Sequence, residues 1–448
     1  MYYFYTFQKR NMSFMKFILS LALSLSICVS NFAQLSKVEK KIVTSIDKNN
    51  AASIVLLKEI ININSGTMNL KGVKEVGSRL MKEFDALGLE TKWVEGKSFN
   101  RAGHLVAVNK GTKGPKLLLI GHLDTVFEPD SPFQSYKMIN DSILQGPGVV
   151  DMKGGDVIIL SALRGLKEAN LLQDMQIEVI MTGDEEKSGS PLSLSKKDLI
   201  EAAERADIAL AFENADGDPK TIVVSRRGSS GWKLKVKGNA AHSSQIFTEK
   251  VGVGAVYETS RILLEFYQQL SKEENLTFNP GVILGGTTTH FDIAQSGGTA
   301  FGKSNVVAQD VMVSGDIRAV SLAQLEKVKR IMNEIVANNL NGTTAELIFN
   351  EGGYPPLAPS EGNHNLLKHY SNISIALGFG SVVPVDPRKA GAADVSFTSG
   401  LVDMAIDGMG LSGADDHTIH ETGNLNMLSV QAKRAAVLMY RLSYGKIE

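Results

Sequence analysis

The spacing of apolar residues in the first half of the chain alternates between a helical and a strand-like pattern. Between positions 45 and 87, apolar residues recur at three- and four-residue steps and Gly88 follows as a stop, which predicts a helical region. Short apolar runs predict strands at 104–108, 116–120, 177–181 and 208–212, with helices at 155–169 and 198–206. This alternation predicts an α/β domain with a mostly parallel sheet flanked by helices.

The pattern changes from about residue 220. Strands are predicted at 221–225, 232–236, 311–317 and 345–349, with helices at 252–270 and 321–339. This β-β-α-β-α-β succession predicts a smaller α+β (ferredoxin-like) domain inserted into the first one. Helices at 361–378 and 428–444 then return the chain to the larger domain. The predicted boundaries are 34–219 and 352–448 for the larger domain and 220–351 for the insertion.

The N-terminal segment, residues 1–33, has the pattern of a secretory signal peptide. Lys16 precedes an apolar stretch over 17–29, and the small residue Ala33 follows it. Because the stretch is short for a membrane span, we expect cleavage after Ala33 and export to the periplasm or the medium. A retained anchor, or a lipid on Cys28, is the alternative, and the bulky Ile27 before that cysteine disfavours lipid attachment.

The composition limits the classes of partner and of metal ligand. Charged residues make up 21% of the 448 residues and the formal net charge is −1, so nothing favours nucleic acid as a partner. Cys28 is the only cysteine, and it lies in the predicted signal peptide. The exported chain would have no disulfide and no thiolate, so any transition metal would be held by histidine and carboxylates.

Side chains that can bind a metal follow the predicted strands. His122 and Asp124 follow one apolar run, the pair Glu185 and Glu186 follows another, and Glu213 follows a third. Ligands of such sheets collect at the carboxyl ends of the strands. A lone histidine is usually a packed or surface residue, but Asp124 lies two residues after His122 on the same face. Its carboxylate is therefore placed to accept from the second ring nitrogen.

Asp151 lies in a glycine-rich turn ahead of a predicted helix. Alone it would be read as a helix N-cap, but glycines on both sides allow a close backbone approach that caps seldom need. An aspartate placed to bridge would allow two metals about 3.5 Å apart. Glu185 and Glu186 cannot point the same way, so one can bind metal while the other serves as general base. Taken alone, the pair would be interpreted as an exposed acidic turn. Glu213 alone would be equally weak evidence for a metal site.

Taken together, these segments resemble the motif set of a co-catalytic di-zinc metallopeptidase family. The family includes glutamate carboxypeptidases, aminoacylases, tripeptidases and succinyl-diaminopimelate desuccinylase, and the chain looks closest to the glutamate carboxypeptidase-like members. The resemblance covers nearly all of the chain after the signal peptide. It implies two Zn²⁺ per subunit, with Asp151 bridging, His122 and Glu213 on one ion, Glu186 and His417 on the other, Glu185 as general base and Asp124 orienting His122.

The late histidine ligand requires a choice between two residues. The family pattern is a histidine followed by a small polar residue, with glutamate four positions on. His417 with Glu421 fits that pattern, so His417 is the predicted ligand and His420 is the alternative.

The inserted domain resembles the lid and dimerisation domain of the same family. By this resemblance, His242 reaches the active site of a partner subunit and stabilises the oxyanion, and a homodimer is expected. Asn305 and Arg318 match residues that bind the substrate carboxylate, for which arginine offers a bidentate fork. Without the resemblance, His242 would be interpreted as part of an ordinary polar loop, and Arg318 as the end of a surface strand. Asp394, where relatives have Gly-Gly-x-Asp, is expected to keep a substrate-side contact.

The sequence therefore predicts an exported zinc-dependent metallopeptidase that hydrolyses an amide next to a free carboxylate. A carboxypeptidase or dipeptidase acting on small peptides is the first hypothesis. An N-acyl amino acid deacylase, a catalytically silent peptide-binding relative and a di-metal aminopeptidase are the alternatives. Residues 350–356 contain no arginine, whereas glutamate-releasing relatives carry basic residues there, which disfavours strict glutamate specificity. No membrane partner is expected after signal cleavage.

Overall fold

The computed structural model describes residues 35–292, 296–350 and 352–446, which form a larger and a smaller domain. The helices, in chain order, are α1 (Lys37–Ile61), α2 (Leu70–Leu87), α3 (Gly154–Glu168), α4 (Leu192–Ser195), α5 (Lys197–Arg205), α6 (Gly254–Leu270), α7 (Leu322–Ala337), α8 (Glu361–Ala376) and α9 (Asn426–Ser443). The strands are β1 (Glu90–Glu95), β2 (Gly103–Lys110), β3 (Lys113–His122), β4 (Lys137–Met138), β5 (Ile143–Gln145), β6 (Met175–Thr182), β7 (Ile208–Ala211), β8 (Thr221–Ile222), β9 (Ser230–Gly238), β10 (Thr277–Gly286), β11 (Thr288–Asp292), β12 (Gly297–Phe301), β13 (Asp310–Arg318), β14 (Thr343–Phe349), β15 (Val383–Pro384), β16 (Met404–Ile406), β17 (Gly413–Ala414) and β18 (Thr422–Asn424).

The larger domain is built on a six-stranded sheet with the order β1-β2-β6-β3-β7-β16. Strands β6, β3, β7 and β16 run parallel to one another, as predicted. Strands β1 and β2 are antiparallel and make the sheet mixed. A short turn at Gly96–Phe99 connects β1 to β2, and a connection of that length can join only antiparallel neighbours.

Both faces of this sheet are covered. Along β3, Leu117 and Leu119 belong to the apolar core that also includes residues of α1, α3 and α9. Leu118 and Ile120 point to the opposite face and pack with Leu199 of α5. A strand buried on both sides has no polar alternation, which is why this segment is a continuous apolar run in the sequence.

The helical region predicted at 45–87 is two helices joined by a loop. Helix α1 begins earlier than predicted, at a capping box in which Ser36 and Glu39 exchange hydrogen bonds. Asn69 caps α2 by accepting from the Gly72 amide. The loop between the helices makes a bridge to Thr125, just beyond β3, and so brings Thr67 to the carboxyl edge of the sheet.

The smaller domain is a four-stranded antiparallel sheet with the order β10-β13-β9-β14 and its own apolar core under α6 and α7. Its chain order is β-α-β-β-α-β, the ferredoxin-like arrangement. The strand predicted at 221–225 forms only over Thr221–Ile222, and its assignment to the inserted domain is wrong, because it pairs with Val383–Pro384 of the larger domain. Strand β10 and the β11–β12 hairpin were not predicted, because β10 contains a proline and three glycines and is half exposed.

Two neighbouring chain segments connect the domains, residues 226–229 and 354–357, and we call them the hinge pair. Arg226 N donates to Leu357 O at 3.0 Å, and Ser229 N donates to Tyr354 O at 2.9 Å. The entry to the smaller domain and the exit from it are therefore hydrogen-bonded to one another.

The predicted signal peptide, with Cys28, lies outside the described residues. Within them, no helix has the length and apolar character needed to cross a membrane.

Candidate metal centre

The carboxyl edge of the parallel strands gathers the predicted ligands. His122 is the last residue of β3, Glu185 and Glu186 come three and four residues after β6, and Glu213 comes two residues after β7. In the register of the sheet, His122 is paired with Thr182, and Ile120 is paired with Ala211. The three strands therefore end at the same level. In open α/β sheets, ligands bind just outside the carboxyl ends of the parallel strands, which is where these side chains lie.

Two further residues come from loops above this edge. Asp151 lies in the turn Val149–Lys153 that leads into α3, and His417 lies in the loop between β17 and β18. His122 Nε2 is 3.0 Å from Asp151 Oδ1 and 3.1 Å from Glu213 Oε1. His417 Nε2 is 2.8 Å from Asp151 Oδ2 and 3.3 Å from Glu186 Oε2.

The two oxygens of Asp151 thus face two different histidines. One side of the carboxylate lies with His122 and Glu213, and the other lies with His417 and Glu186. This is the arrangement of a carboxylate that bridges two cations, and all five residues predicted as ligands take part in it. His420 makes no side-chain contact with these carboxylates in the hydrogen bonds and ion pairs of the described residues.

Glu185 lies beside the same group. Ligand atoms of His122, Glu185 and Glu213 all fall within 4.8 Å of one another, and so do those of His122, Asp151 and Glu186. Burial, reinforced by the nearby Glu213 carboxylate, raises the pKa of Glu185 well above its usual value. The carboxyl group is therefore close enough to serve either as a ligand or as a proton acceptor beside the ligands.

The carboxylates are crowded together and largely buried. Burial and the Asp151 carboxylate raise the pKa of Glu213 to about 8 and the pKa of Glu186 to about 7. Hydrogen bonds to Asp151 and Glu186 raise the pKa of His417 to about 11. Burial lowers the pKa of His122, but the Glu213 and Asp151 carboxylates outweigh it and the net shift is upward. A cluster of this kind stabilises positive charge at its centre.

The donor set fits divalent metal ions. It consists of imidazole nitrogen and carboxylate oxygen with no sulfur, a set that suits zinc and similar borderline cations. Glu186 Oε1 is buried and has no hydrogen-bond partner among the described residues. A buried carboxylate oxygen without a donor is costly unless a cation satisfies it.

Asp124 connects His122 to the segment that carries Glu185 and Glu186, which we call the acidic turn. Its carboxylate accepts from Thr67 Oγ1 at 2.7 Å, from Glu185 N at 3.0 Å and from Glu186 N at 3.2 Å. His122 Nδ1 is 3.0 Å from the backbone oxygen of Asp124 but 3.5 Å from its Oδ1. The ring of His122 therefore contacts both the backbone carbonyl and the carboxylate of Asp124, and the orienting role of the carboxylate stays a prediction.

Glu421 was noted in the sequence only for its spacing from His417. In the structure it is buried and accepts from the amides of Gly148, Val150 and Asp151 at 3.0, 2.8 and 3.2 Å. It therefore joins the loop that carries Asp151 to the loop that carries His417. Burial raises its pKa to about 8.

No role was predicted from the sequence for Arg226 or Asp407, which form a buried ion pair next to the site. Arg226 Nε donates to Asp407 Oδ2 at 2.7 Å, and Asp407 Oδ1 accepts from the Glu213 amide at 3.1 Å. Both side chains are buried. The pair fixes the backbone of Glu213, but its members are 181 positions apart and neither lies in a recognisable motif.

The substrate contact predicted for Asp394 is wrong, because both of its oxygens are engaged inside the protein. Lys196 Nζ lies 3.0 Å from Asp394 Oδ1, and Thr182 Oγ1 donates to Asp394 Oδ2. Lys196 is itself fully buried and also pairs with Asp184 Oδ1 at 3.0 Å. Asp394 is therefore part of a buried ionic network beneath the acidic turn.

The predicted substrate residues of the smaller domain lie on its surface. His242 is exposed and its ring bonds to Ser244, and the backbone of exposed Asn305 accepts from Ser243 N at 2.9 Å. Arg318 is half exposed and its Nε is 3.1 Å from Asp316 Oδ2. No hydrogen bond or ion pair of the described residues joins these three side chains to the metal-site side chains, so their roles stay predictions.

Comparison with known proteins adds a family and a fold. A family model described as peptidase family M20/M25/M40 matches residues 118–441. Carboxypeptidase G2 of Pseudomonas sp. (strain RS-16) is 25% identical over 397 residues, which cover 88% of this chain and 90% of that protein. Succinyl-diaminopimelate desuccinylase of Herminiimonas arsenicoxydans is 25% identical over 316 residues, covering 68% and 78% respectively.

Solved structures share the fold at lower identity. The aminopeptidase PepT of Bacillus cereus ATCC 10987 superposes with a TM-score of 0.67 at 19% identity, covering 88% of this chain and 99% of that one. The YXEP protein of Bacillus subtilis, described as a dinuclear metal binding peptidase from the M20 family, has a TM-score of 0.59 at 14% identity, covering 89% and 99%.

Proposed function

The chain belongs to peptidase family M20/M25/M40 and is a hydrolase of its peptidase and amidohydrolase type; we propose that it is a two-zinc enzyme cleaving an amide next to a free carboxylate. Its substrates would be small peptides, which makes it a carboxypeptidase or a dipeptidase. A deacylase of N-acyl amino acids is the second candidate, favoured by the similarity to succinyl-diaminopimelate desuccinylase.

The observation that carries the proposal is the position of Asp151 between two sets of donors. His122, Asp151 and Glu213 would hold one ion, and Asp151, Glu186 and His417 would hold the other. When bound, the ions would polarise the amide carbonyl and make water nucleophilic at neutral pH. Proton transfer and substrate binding would be carried out by the side chains around the ions.

Glu185 is the proposed general base. It would take the proton of the attacking water and return it to the nitrogen of the leaving amine. Its side chain is next to His122 and Glu213, and its amide is held by Asp124 at 3.0 Å. A base held in this way is already oriented before substrate arrives, which lowers the entropic part of the barrier.

Arg318 and Asn305 are the proposed contacts for the substrate carboxylate, and His242 of a partner subunit is the proposed oxyanion donor. A methyl group built at Gly391 of the larger domain would lie 3.9 Å from Arg318 Nη1, so this arginine already faces the opposite domain. Rotation about the hinge pair would bring the substrate residues over the metal centre. Homodimerisation through the smaller domain is part of this proposal.

Export is the remaining part of the proposal. The charged start, the apolar stretch at 17–29 and Ala33 support a periplasmic or secreted enzyme of residues 34–448. Expression of the full chain with N-terminal sequencing of the exported product tests this, and a product that begins near residue 34 is the expected result.

The activity is tested with matched substrate pairs. Dipeptides and N-acyl amino acids are assayed as free acids and as C-terminal amides, with Zn²⁺ and with chelator. Metal-dependent release from free acids alone supports the proposal, and the preference between the two series separates peptidase from deacylase. Tight metal binding without hydrolysis of any substrate would instead indicate a peptide-binding protein.

A further inference from the structure

We propose that Tyr354 is a positioning residue for Glu185, and that through it the hinge pair acts directly on the acidic turn. The inference rests on the proposed function, in which Glu185 is the general base. Tyr354 belongs to none of the segments that suggested the metal centre, and it is 169 positions from Glu185 in the chain.

The contact is made to one peptide group. Tyr354 Oη donates to the backbone oxygen of Glu185 at 2.9 Å. The N–H of the same peptide, at Glu186, donates to Asp124 Oδ2 at 3.2 Å. The peptide that joins the proposed base to a proposed metal ligand is thus held from both sides, and a rotation of it would displace both side chains.

The proton of the tyrosine hydroxyl has a defined direction. Its acceptors are Glu185 O at 2.9 Å and Asp394 Oδ1 at 3.4 Å, and the shorter contact is the stronger hydrogen bond. Ser188 Oγ lies 3.0 Å from the same hydroxyl and can donate to it. Asp394 Oδ1 already accepts from Lys196 at 3.0 Å, and its longer distance from the tyrosine hydroxyl makes it the weaker acceptor.

The aromatic ring is fixed independently of the hydroxyl. It packs against Phe397 with ring centroids 4.9 Å apart, and Lys196 Nζ lies 5.4 Å from its centroid. Lys196 is held in turn by its two buried carboxylate partners, Asp184 and Asp394. Removing the hydroxyl alone should therefore leave the ring in place, and the loss can be assigned to the contacts of the hydroxyl, of which the hydrogen bond to Glu185 O is the shortest.

Tyr354 is also part of the connection between the domains. Its backbone oxygen accepts from Ser229 N at 2.9 Å, and it follows β14 of the smaller sheet. A change in the angle between the domains must alter the backbone of the hinge pair. Because the same residue holds the Glu185 peptide, the base is placed correctly only for a limited range of domain orientations.

The experiment is a kinetic comparison of Tyr354→Phe with the wild type. We expect kcat to fall about fivefold, the effect of losing one hydrogen bond of average strength that holds the Glu185 peptide, while KM stays within about twofold. Bound metal should be unchanged. The matched control is Tyr444→Phe, whose hydroxyl also lies between a carboxylate and a backbone oxygen, Asp174 Oδ2 at 3.1 Å and Leu171 O at 3.2 Å, and which should keep wild-type kcat. A wild-type kcat in Tyr354→Phe, or a change in KM alone, overturns the proposal.

A second readout does not need turnover. Amide hydrogen exchange is measured over residues 183–190 and over the hinge pair in the same variants. Tyr354→Phe should speed exchange at Glu185 and Glu186 and, because coupling is reciprocal, at Ser229, while β6 stays protected. Unchanged exchange at the acidic turn overturns the positioning role, and faster exchange there without any change at Ser229 overturns the link to the hinge. If the wild type hydrolyses no amide, the proposed function fails, and this measurement still decides the inference.

Discussion

The two domains present the side chains proposed to take part in catalysis in opposite ways. Around the metal centre, His122 is 1% exposed and Glu186 is 6% exposed, and each is held by several contacts. In the smaller domain, Arg318 is 38% exposed and His242 and Asn305 lie on the surface. Among the proposed ligands only His417, at 55% exposure, resembles the second group, and it marks the open side of the site.

The difference indicates two kinds of preparation for catalysis. The chemical half is assembled by strand ends and buried hydrogen bonds before any substrate arrives. In the proposed function, the recognition half reaches the same place only through a rigid-body movement and with a second subunit. Variants in the first half should therefore change metal binding and kcat, and variants in the second half should change the dependence on substrate.

The largest effect is expected from Glu185→Gln. Without a proton acceptor, kcat should fall by about 10²–10⁴, while the bound metal should remain. Metal content by elemental analysis and single-turnover hydrolysis measure the two quantities. The exposed Glu201→Gln serves as the control and should behave as wild type. Substantial residual activity in Glu185→Gln would show that Glu185 is not the general base.

Arg226→Met should cost stability. It leaves the fully buried Asp407 without its counter-ion, for which we expect a loss of about 3–5 kcal/mol in the free energy of unfolding. Urea denaturation followed by circular dichroism gives the value. The control is Arg205→Met, which breaks the solvent-exposed pair with Glu178 and should cost no more than about 1 kcal/mol. Equal costs would mean that the buried pair does not fix the strand end.

Glu421→Gln should weaken metal binding without removing any ligand. The amide keeps one acceptor oxygen but replaces the other with a donor facing backbone N–H groups, so the loops of Asp151 and His417 separate. We expect a loss of about 10–100-fold in metal affinity, measured by competition with a chromogenic chelator. Glu346→Gln, on the surface of the smaller domain, should leave the affinity unchanged.

The smallest effect is expected from Arg318→Ala. Since the side chain is partly exposed, kcat/KM for free-acid substrates should fall about tenfold, and the amide forms should be unaffected. Arg330→Ala, in an exposed pair on the same domain, is the control. An equal loss for acids and amides would show that Arg318 does not recognise the carboxylate.

The sequence was most informative where a residue that can bind a metal or transfer a proton comes directly after a predicted strand. His122, Glu185, Glu186 and Glu213 each stand just beyond an apolar run, so the rule for parallel sheets places them at one edge. The larger domain was predictable for the same reason, because strands buried on both faces give unmistakable apolar runs.

Prediction failed where the deciding contact is distant or where a motif was carried over without its surroundings. Nothing in the sequence joins Arg226 to Asp407, and Asp394 was given a substrate role because the buried charge of Lys196 cannot be inferred from a lysine in a polar segment. Strand β10 was missed because a proline and glycines mask an edge strand whose pairing with β13 is non-local.

The closeness of the two hinge segments has a consequence for engineering. Since Ser229 N and Tyr354 O are 2.9 Å apart, the whole ferredoxin-like insertion begins and ends at one point on the larger domain. A short turn from residue 229 to residue 354 would span that point, so the insertion could be excised as a cassette and another domain grafted in its place. The metal ligands, which all lie outside the excised segment, would be inherited intact by such a chimaera.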